Sequence, residues 1–153
     1  MARTTNFPSE GLLRRLIAFF AALGIGVAAY IAIVEAGGQA PVCLAGGAGC
    51  QTVSESSYAH VAGINIAIFG IVAYVLLLAS AFFANDAVRF GGFLLALGGF
   101  GYSVFLTYLE LFKIEAICEW CVGSAVLMTI LFLLNATRLI GYAGTDARLA
   151  NEG

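Results

Sequence analysis

Cys118-Glu119-Trp120-Cys121 stands at the head of an uncharged apolar stretch, and a second pair, Cys43 and Cys50, lies in an earlier loop; these are the four cysteines of the chain. Paired cysteines can exchange electrons by thiol–disulfide chemistry, in which a thiolate attacks a disulfide through a mixed-disulfide intermediate. On a helix, residues three apart occupy neighbouring positions of one face, within reach of a disulfide. The free N–H groups and dipole of a helix N-terminus favour a thiolate, which marks Cys118 as the reactive member. Cys121 lies deeper, toward the acyl chains. The loop around Cys43 and Cys50 carries Gly37, Gly38, Gly46, Gly47 and Gly49, and glycine tolerates many backbone conformations. Such a loop can carry its pair between two positions. Three readings of the four cysteines stay open here: a redox relay of two pairs, two structural disulfides, and a zinc site. An all-cysteine zinc site needs ligand spacings of about two to four residues, which the gap from Cys43 to Cys50 fits poorly, so no metal is expected.

The elements that must position these thiols follow from the distribution of charge. The 153-residue chain is 61% hydrophobic and 10% charged, against about 45–50% apolar and about 25% charged in soluble domains. A soluble fold cannot bury that much apolar surface. Four uncharged stretches, 16–34, 61–85, 90–109 and 121–137, compare with the roughly 17–25 residues needed to span a bilayer as a helix. The last is short, but a helix starting near Ala116 is long enough, with the cysteines in its first turn. The expected fold is therefore an all-α membrane protein, a bundle of four transmembrane helices with an outer-face loop and a short interfacial helix. The expected division is a polar cytoplasmic N-terminus (1–11), the four-helix domain (12–137) and a cytoplasmic tail (138–153). The first stretch exceeds the roughly 7–15 residues of a signal-peptide core and reads as a retained helix.

Arg3, Arg14 and Arg15 precede the first stretch, Arg89 separates the second from the third, and Arg138 and Arg148 follow the fourth; Lys113 alone falls on the other side. The positive-inside rule then makes both termini cytoplasmic and puts all four cysteines on the outer face, where oxidising conditions let disulfides persist. The sequon Asn135-Ala136-Thr137 falls on the cytoplasmic side and is expected to go unused. With net charge −2 and no basic face, nucleic acid is not an expected partner. Gly24 with Ala28, Gly92 with Ala96, and Gly98-Gly99-Phe100-Gly101 supply small residues that let helix backbones approach closely in lipid.

Thr52-Val53-Ser54-Glu55 has the pattern of a capping box and predicts a short helix just after Cys50, lying over the bundle. His60, the single histidine, reads as a surface group. Glu35, Glu55, Glu110, Glu115 and Glu119 read as a solvated acidic rim, or as a docking face for a basic patch. Glu119, beside Cys118, is expected to temper thiolate formation. Trp120 reads as an interfacial anchor, compatible with a place in a pocket wall. Asn65 is an amide inside the second span, costly there without a partner, and is a candidate for the same pocket.

The chain resembles the vitamin K epoxide reductase family, in its bacterial disulfide-forming branch. The resemblance rests on Cys43 and Cys50, Ser56 six residues after the second loop cysteine, Phe69-Gly70-Ile71-Val72-Ala73-Tyr74, and Cys118-Glu119-Trp120-Cys121-Val122-Gly123-Ser124-Ala125, and it covers roughly residues 12–137. The resemblance implies that Cys118 and Cys121 reduce a membrane quinone of the ubiquinone, menaquinone or phylloquinone type, with Cys121 facing the ring. It implies further that Cys118 exchanges with Cys50, that Cys43 takes electrons from a thiol protein, and that Ser56 lies near the quinone. The implied activity is disulfide formation in a thioredoxin-like partner on the outer face of a bacterial inner membrane. Reduction of vitamin K epoxide is the alternative within the family, and a membrane scaffold with two structural disulfides the alternative outside it. Many bacterial relatives carry a fifth helix and a fused thioredoxin-like domain. Here the tail to Gly153 is too short for either, so the expectation is that the partner is a separate polypeptide or that the sequence is a piece of a longer chain.

Overall fold

The computed structural model describes residues 8–152; most of the polar 1–11 stretch, with Arg3, lies outside them, as does Gly153. Helix α1 spans Glu10–Ala36. Short α2 spans Gly49–Ser54, followed by a 3₁₀ turn, Ser57–Ala59, and a two-stranded antiparallel hairpin, β1 (His60–Val61) and β2 (Ile64–Asn65). Helix α3 spans Ile66–Ser80 and α4 Asp86–Leu109. A π-helical segment, Glu110–Ile114, continues α4, and α5 runs from Glu119 to Glu152. Helix α1 packs on α3 and α5, and α4 on α5 and α3.

Among the described residues three helical stretches are long and apolar enough to cross a membrane: Glu10–Ala36, Asp86–Ile114 and Glu119–Glu152. The second expected span differs. Of 61–85 only a 15-residue helix forms, roughly 22 Å at 1.5 Å per residue, against a hydrocarbon core of about 30 Å. Its first residues are used by the hairpin, whose turn puts Ala62 and Gly63 at positive φ, and Asn65 then caps α3 by accepting from the Ala67 N–H at 2.7 Å. At the other end Arg14 and Arg138 bind carbonyls from Ser80 to Phe83, which closes the helix.

The core is small and dense. Ile17, Ala21, Ala28, Tyr74, Leu77, Ala96, Met128 and Leu131 form one buried cluster. Gly24 is obligatory in it: a Cβ there would lie 2.3 Å from the Tyr74 ring. The Tyr74 hydroxyl, a polar group that must be satisfied when buried, donates to the Ser124 carbonyl at 2.9 Å. Of the glycine run in α4, Gly99 makes the close approach, against Met128, whereas Gly98 and Gly101 face open space. Outside this cluster large apolar side chains such as Phe19, Ile33, Phe82 and Phe105 are exposed, as a lipid-facing surface requires.

Two further expectations change. The helix over the bundle begins at Gly49, not after Cys50, so Thr52 is inside it and its hydroxyl donates to the Ala48 carbonyl. Glu55 ends the helix instead of capping its start. The last helix begins at Glu119, later than Ala116, and continues unbroken past Arg138. Arg138 is buried, as is Asn135 of the sequon, whose amide donates to the Leu131 carbonyl.

Candidate functional site

The antiparallel course of α1, α3, α4 and α5 brings both cysteine pairs to one end of the bundle. Cys43 and Cys50 are joined in a disulfide, and Cys118 and Cys121 are free thiols. Cys43 is half-buried on the loop, whereas Cys50 is 1% exposed. A cavity of about 310 Å³ opens between the helices beneath α2, and Cys50, Cys118 and Cys121 all line it. Gly49 permits this meeting: a Cβ there would lie 2.3 Å from the Ile117 carbonyl oxygen, just before Cys118.

Cys118 holds the N-cap position of α5. Its carbonyl accepts from the Val122 N–H at 3.0 Å, and its sulfur accepts from the Cys121 N–H at 3.4 Å. A sulfur therefore occupies the place of the oxygen in an ordinary N-cap, facing unpaired N–H groups that favour negative charge. The Cys118 thiol is held below the ordinary thiol range by the hydrogen bond from the Cys121 thiol. Backbone N–H groups of Cys121 and Trp120 assist, against burial and the Glu110 charge.

The two residues inside the motif face away from the cavity and hold the loop. The Glu119 carboxylate accepts from the Leu44 N–H at 2.8 Å and the Ala45 N–H at 3.0 Å. Trp120 donates its indole N–H to the Val42 carbonyl at 2.9 Å and packs on Tyr30, with ring centroids 4.7 Å apart. Cys43 is thus bracketed on both sides by residues taken from the second cysteine motif. Trp120 does not line the cavity, and the charge near Cys118 comes from Glu110 rather than Glu119.

Ser56 lines the cavity, with its hydroxyl donating to the Val53 carbonyl at 2.6 Å. Asn65 does not; besides capping α3 it donates its amide to the Glu35 carboxylate, which also accepts from Ser54. Glu35 so ties α1, α2 and α3 together at the mouth. His60 is exposed on the hairpin.

Glu110 departs furthest from the sequence reading. It is 5% exposed, not part of a solvated rim. The π-helical turn and the left-handed Glu115 (φ 54°) redirect the chain, and the Glu110 carbonyl accepts the Ala116 N–H at 3.1 Å. Its carboxyl turns inward, accepts from the Cys118 N–H at 3.3 Å and lines the same cavity as Cys121. A buried charge is expensive unless paired, and among the described residues no cation lies within salt-bridge range of Glu110. The spacing to Cys118, eight residues, carries no helical signal because the π-turn and an extended segment intervene.

The cavity wall is mostly apolar, including Ile66, Phe69, Gly98 and Leu106. Its volume falls at the small end of ligand sites, about 300–1,000 Å³, so it fits a quinone head group with Cys121 and Ser56 in the wall. Among the described residues no cluster of His, Cys, Asp and Glu suits a metal ion.

A helical membrane protein in which a disulfide and a reactive thiol pair share one apolar cavity is a membrane thiol protein built for redox chemistry. The chain belongs to the vitamin K epoxide reductase family, whose family model matches residues 15–136. It is an integral membrane oxidoreductase. No individual curated protein matches the sequence.

Proposed function

We propose that the protein oxidises the dithiol of a thioredoxin-like partner and passes the electrons to a membrane quinone. The observation that carries this reading is the meeting of Cys50, Cys118 and Cys121 at one apolar cavity while Cys43 stays on the loop surface. A partner thiolate attacks Cys43, and the partner leaves as a disulfide with the loop pair reduced. A Cys50 thiolate then attacks Cys118 of an oxidised Cys118–Cys121 pair, and Cys43 resolves the mixed disulfide. The outcome is a loop disulfide beside two free thiols, the arrangement of the structure. Oxidation of Cys118 and Cys121 to a disulfide gives two electrons and two protons to the quinone, which leaves as hydroquinone. In sum, partner dithiol and quinone become partner disulfide and hydroquinone. Arg14, Arg89 and Arg138 gather at the bundle end opposite the cysteines, which supports cytoplasmic termini and an outer-face loop.

Trapping tests the relay. In Cys121→Ala, Cys118 has lost its resolving partner, so a Cys50–Cys118 mixed disulfide should accumulate on non-reducing gels and in peptide maps. Purified wild-type protein with a reduced thioredoxin-like donor should consume quinone one-for-one with donor dithiol. Fixed Cys43–Cys50 and Cys118–Cys121 bonds under mild reductant, with no quinone consumed, would mean a structural role for both pairs.

A further inference from the structure

We propose that Glu110 is the proton-transfer residue of the Cys118/Cys121 pair, taking the Cys121 thiol proton and delivering it into the cavity. The proposal rests on the quinone reading above and deepens it. Electrons can leave the dithiol only if its protons leave too, and the acceptor must gain the same number. Cys121 is the thiol that sits in the cavity wall inside the helix, and the Glu110 carboxyl shares that wall, anchored on the N–H of Cys118 one helical turn before Cys121. A single carboxyl, itself buried, therefore stands beside the thiol pair and on the space where the acceptor would bind. A general acid–base group must come within hydrogen-bond reach of the proton it moves, and such bonds often tighten only when the reactant is bound.

The step balances as follows. The Cys121 sulfur bonds to Cys118, its proton passes to the Glu110 carboxylate, and two electrons pass to the quinone. Glu110 then protonates a quinone oxygen and returns to carboxylate. The second proton, from Cys118, reaches the other oxygen through water at the cavity mouth. The remaining titratable groups on this cavity are two hydrogen-bonded side chains and two phenols. Glu35 of α1 is held by Ser54 and Asn65, Tyr74 of α3 donates to Ser124, and Tyr58, after α2, and Tyr102 of α4 are phenols. The Cys118 N–H fixes the carboxyl's orientation, and the π-helical segment supplies the inward turn; such segments are frequent at functional sites.

The decisive variant is Glu110→Gln, which retains an acceptor for the Cys118 N–H but cannot carry a proton. General acid–base groups typically contribute about 10²–10⁴-fold, so quinone turnover should fall roughly a hundredfold or more in Glu110→Gln. One ionisation should vanish from its pH–rate profile, and Glu110→Asp should recover part of the rate. Exchange between Cys50 and Cys118 takes no proton from Glu110, and loss of the charge that opposes the Cys118 thiolate should leave that step, in the Cys121→Ala background, no slower than with Glu110 in place. Wild-type turnover and pH profile in Glu110→Gln would overturn the proposal, as would an equal loss in exchange and turnover, the mark of a merely structural role. Absence of quinone reduction by the wild type itself would instead overturn the quinone reading on which the proposal stands.

Discussion

The two ends of the bundle use the same device for opposite purposes. At the arginine end, side chains bind backbone groups to close a helix for good. Arg138, 3% exposed, donates to the Ser80 and Phe83 carbonyls at 3.1 and 2.7 Å, and Arg14 donates to Ala81 and Phe82. Glu10 joins Arg138 to Arg89, which pairs with Asp86 and stacks on Tyr142. At the cysteine end Glu119 and Trp120 also bind backbone groups, but on an exposed glycine-rich loop. The buried Arg138 clamp resists water and holds α3 in place. Exposed clamps compete with water and can let go, as the proposed relay requires of the loop carrying Cys43. Under that proposal stability belongs to the first end and exchange to the second.

The largest test of this division is at Arg138. Arg138→Met keeps the stem but strands two carbonyls at the end of α3 and deprives Glu10 of a partner. Removing one member of a buried polar arrangement costs about 3 kcal/mol or more. Thermal unfolding in detergent should reveal that loss, while exchange between Cys50 and Cys118, measured per folded molecule at low temperature, should hold. A variant that melts like wild type, or that slows exchange as much as it destabilises, would erase the distinction between the ends.

How far the sequence foretells this arrangement depends on what each residue signals. Uncharged stretches mark α1, α4 and α5 because lipid excludes charge along a whole span. Alternation of direction then brings Cys43, Cys50, Cys118 and Cys121 to one end. The short α3 is illegible by hydropathy, since Ile64 and Ile68 read alike whether in a hairpin or a helix; what ends the hairpin is the Asn65 cap. Arg138 reads as the edge of a span because a charge there usually meets water, yet this one is buried on the carbonyls that close α3. Glu110 looks like its neighbours Glu115 and Glu119 in sequence. Only a π-turn and one left-handed residue decide that its carboxyl points inward while Glu119 reaches the loop. Asn65 and Trp120, read as pocket residues, turn out to hold elements together because their polar groups find backbone or carboxylate partners nearer than the cavity.

A smaller effect is expected at Glu119. Glu119→Ala releases the Leu44 and Ala45 N–H groups to water, so the loss in stability should be about 1 kcal/mol or less. The same loosening spreads the loop over more positions, and Cys50–Cys118 exchange should slow roughly fivefold, by the relation of about 1.36 kcal/mol per tenfold in rate. Glu119→Gln, with one acceptor oxygen left, should fall between. The measurement is the rate of mixed-disulfide formation in the Cys121→Ala background, beside a melting curve. If Glu119→Ala destabilises as much as Arg138→Met, the loop clamp is a structural lock like that of the other end.

The finest distinction lies within the motif itself. The Cys118 thiol is lowered chiefly by the hydrogen bond from the Cys121 thiol, with help from helix N-terminal N–H groups. A lowered thiol has more thiolate at a given pH, so its alkylation rate should rise and level off at lower pH than that of an ordinary cysteine, about 8.5. Cys121→Ala removes the first donor but leaves the N–H groups, so the midpoint for Cys118 should move upward. Cys121→Ser keeps a hydroxyl donor and should stay nearer wild type. Iodoacetamide labelling of Cys118 against pH in a Cys43→Ala/Cys50→Ala background, where no loop disulfide can capture Cys118, reads both shifts. An unchanged midpoint in Cys121→Ala would assign the lowering to the N-cap geometry alone. Cys118 would then owe its reactivity to its place at the helix start, and Cys121 would serve only to resolve and to pass electrons on.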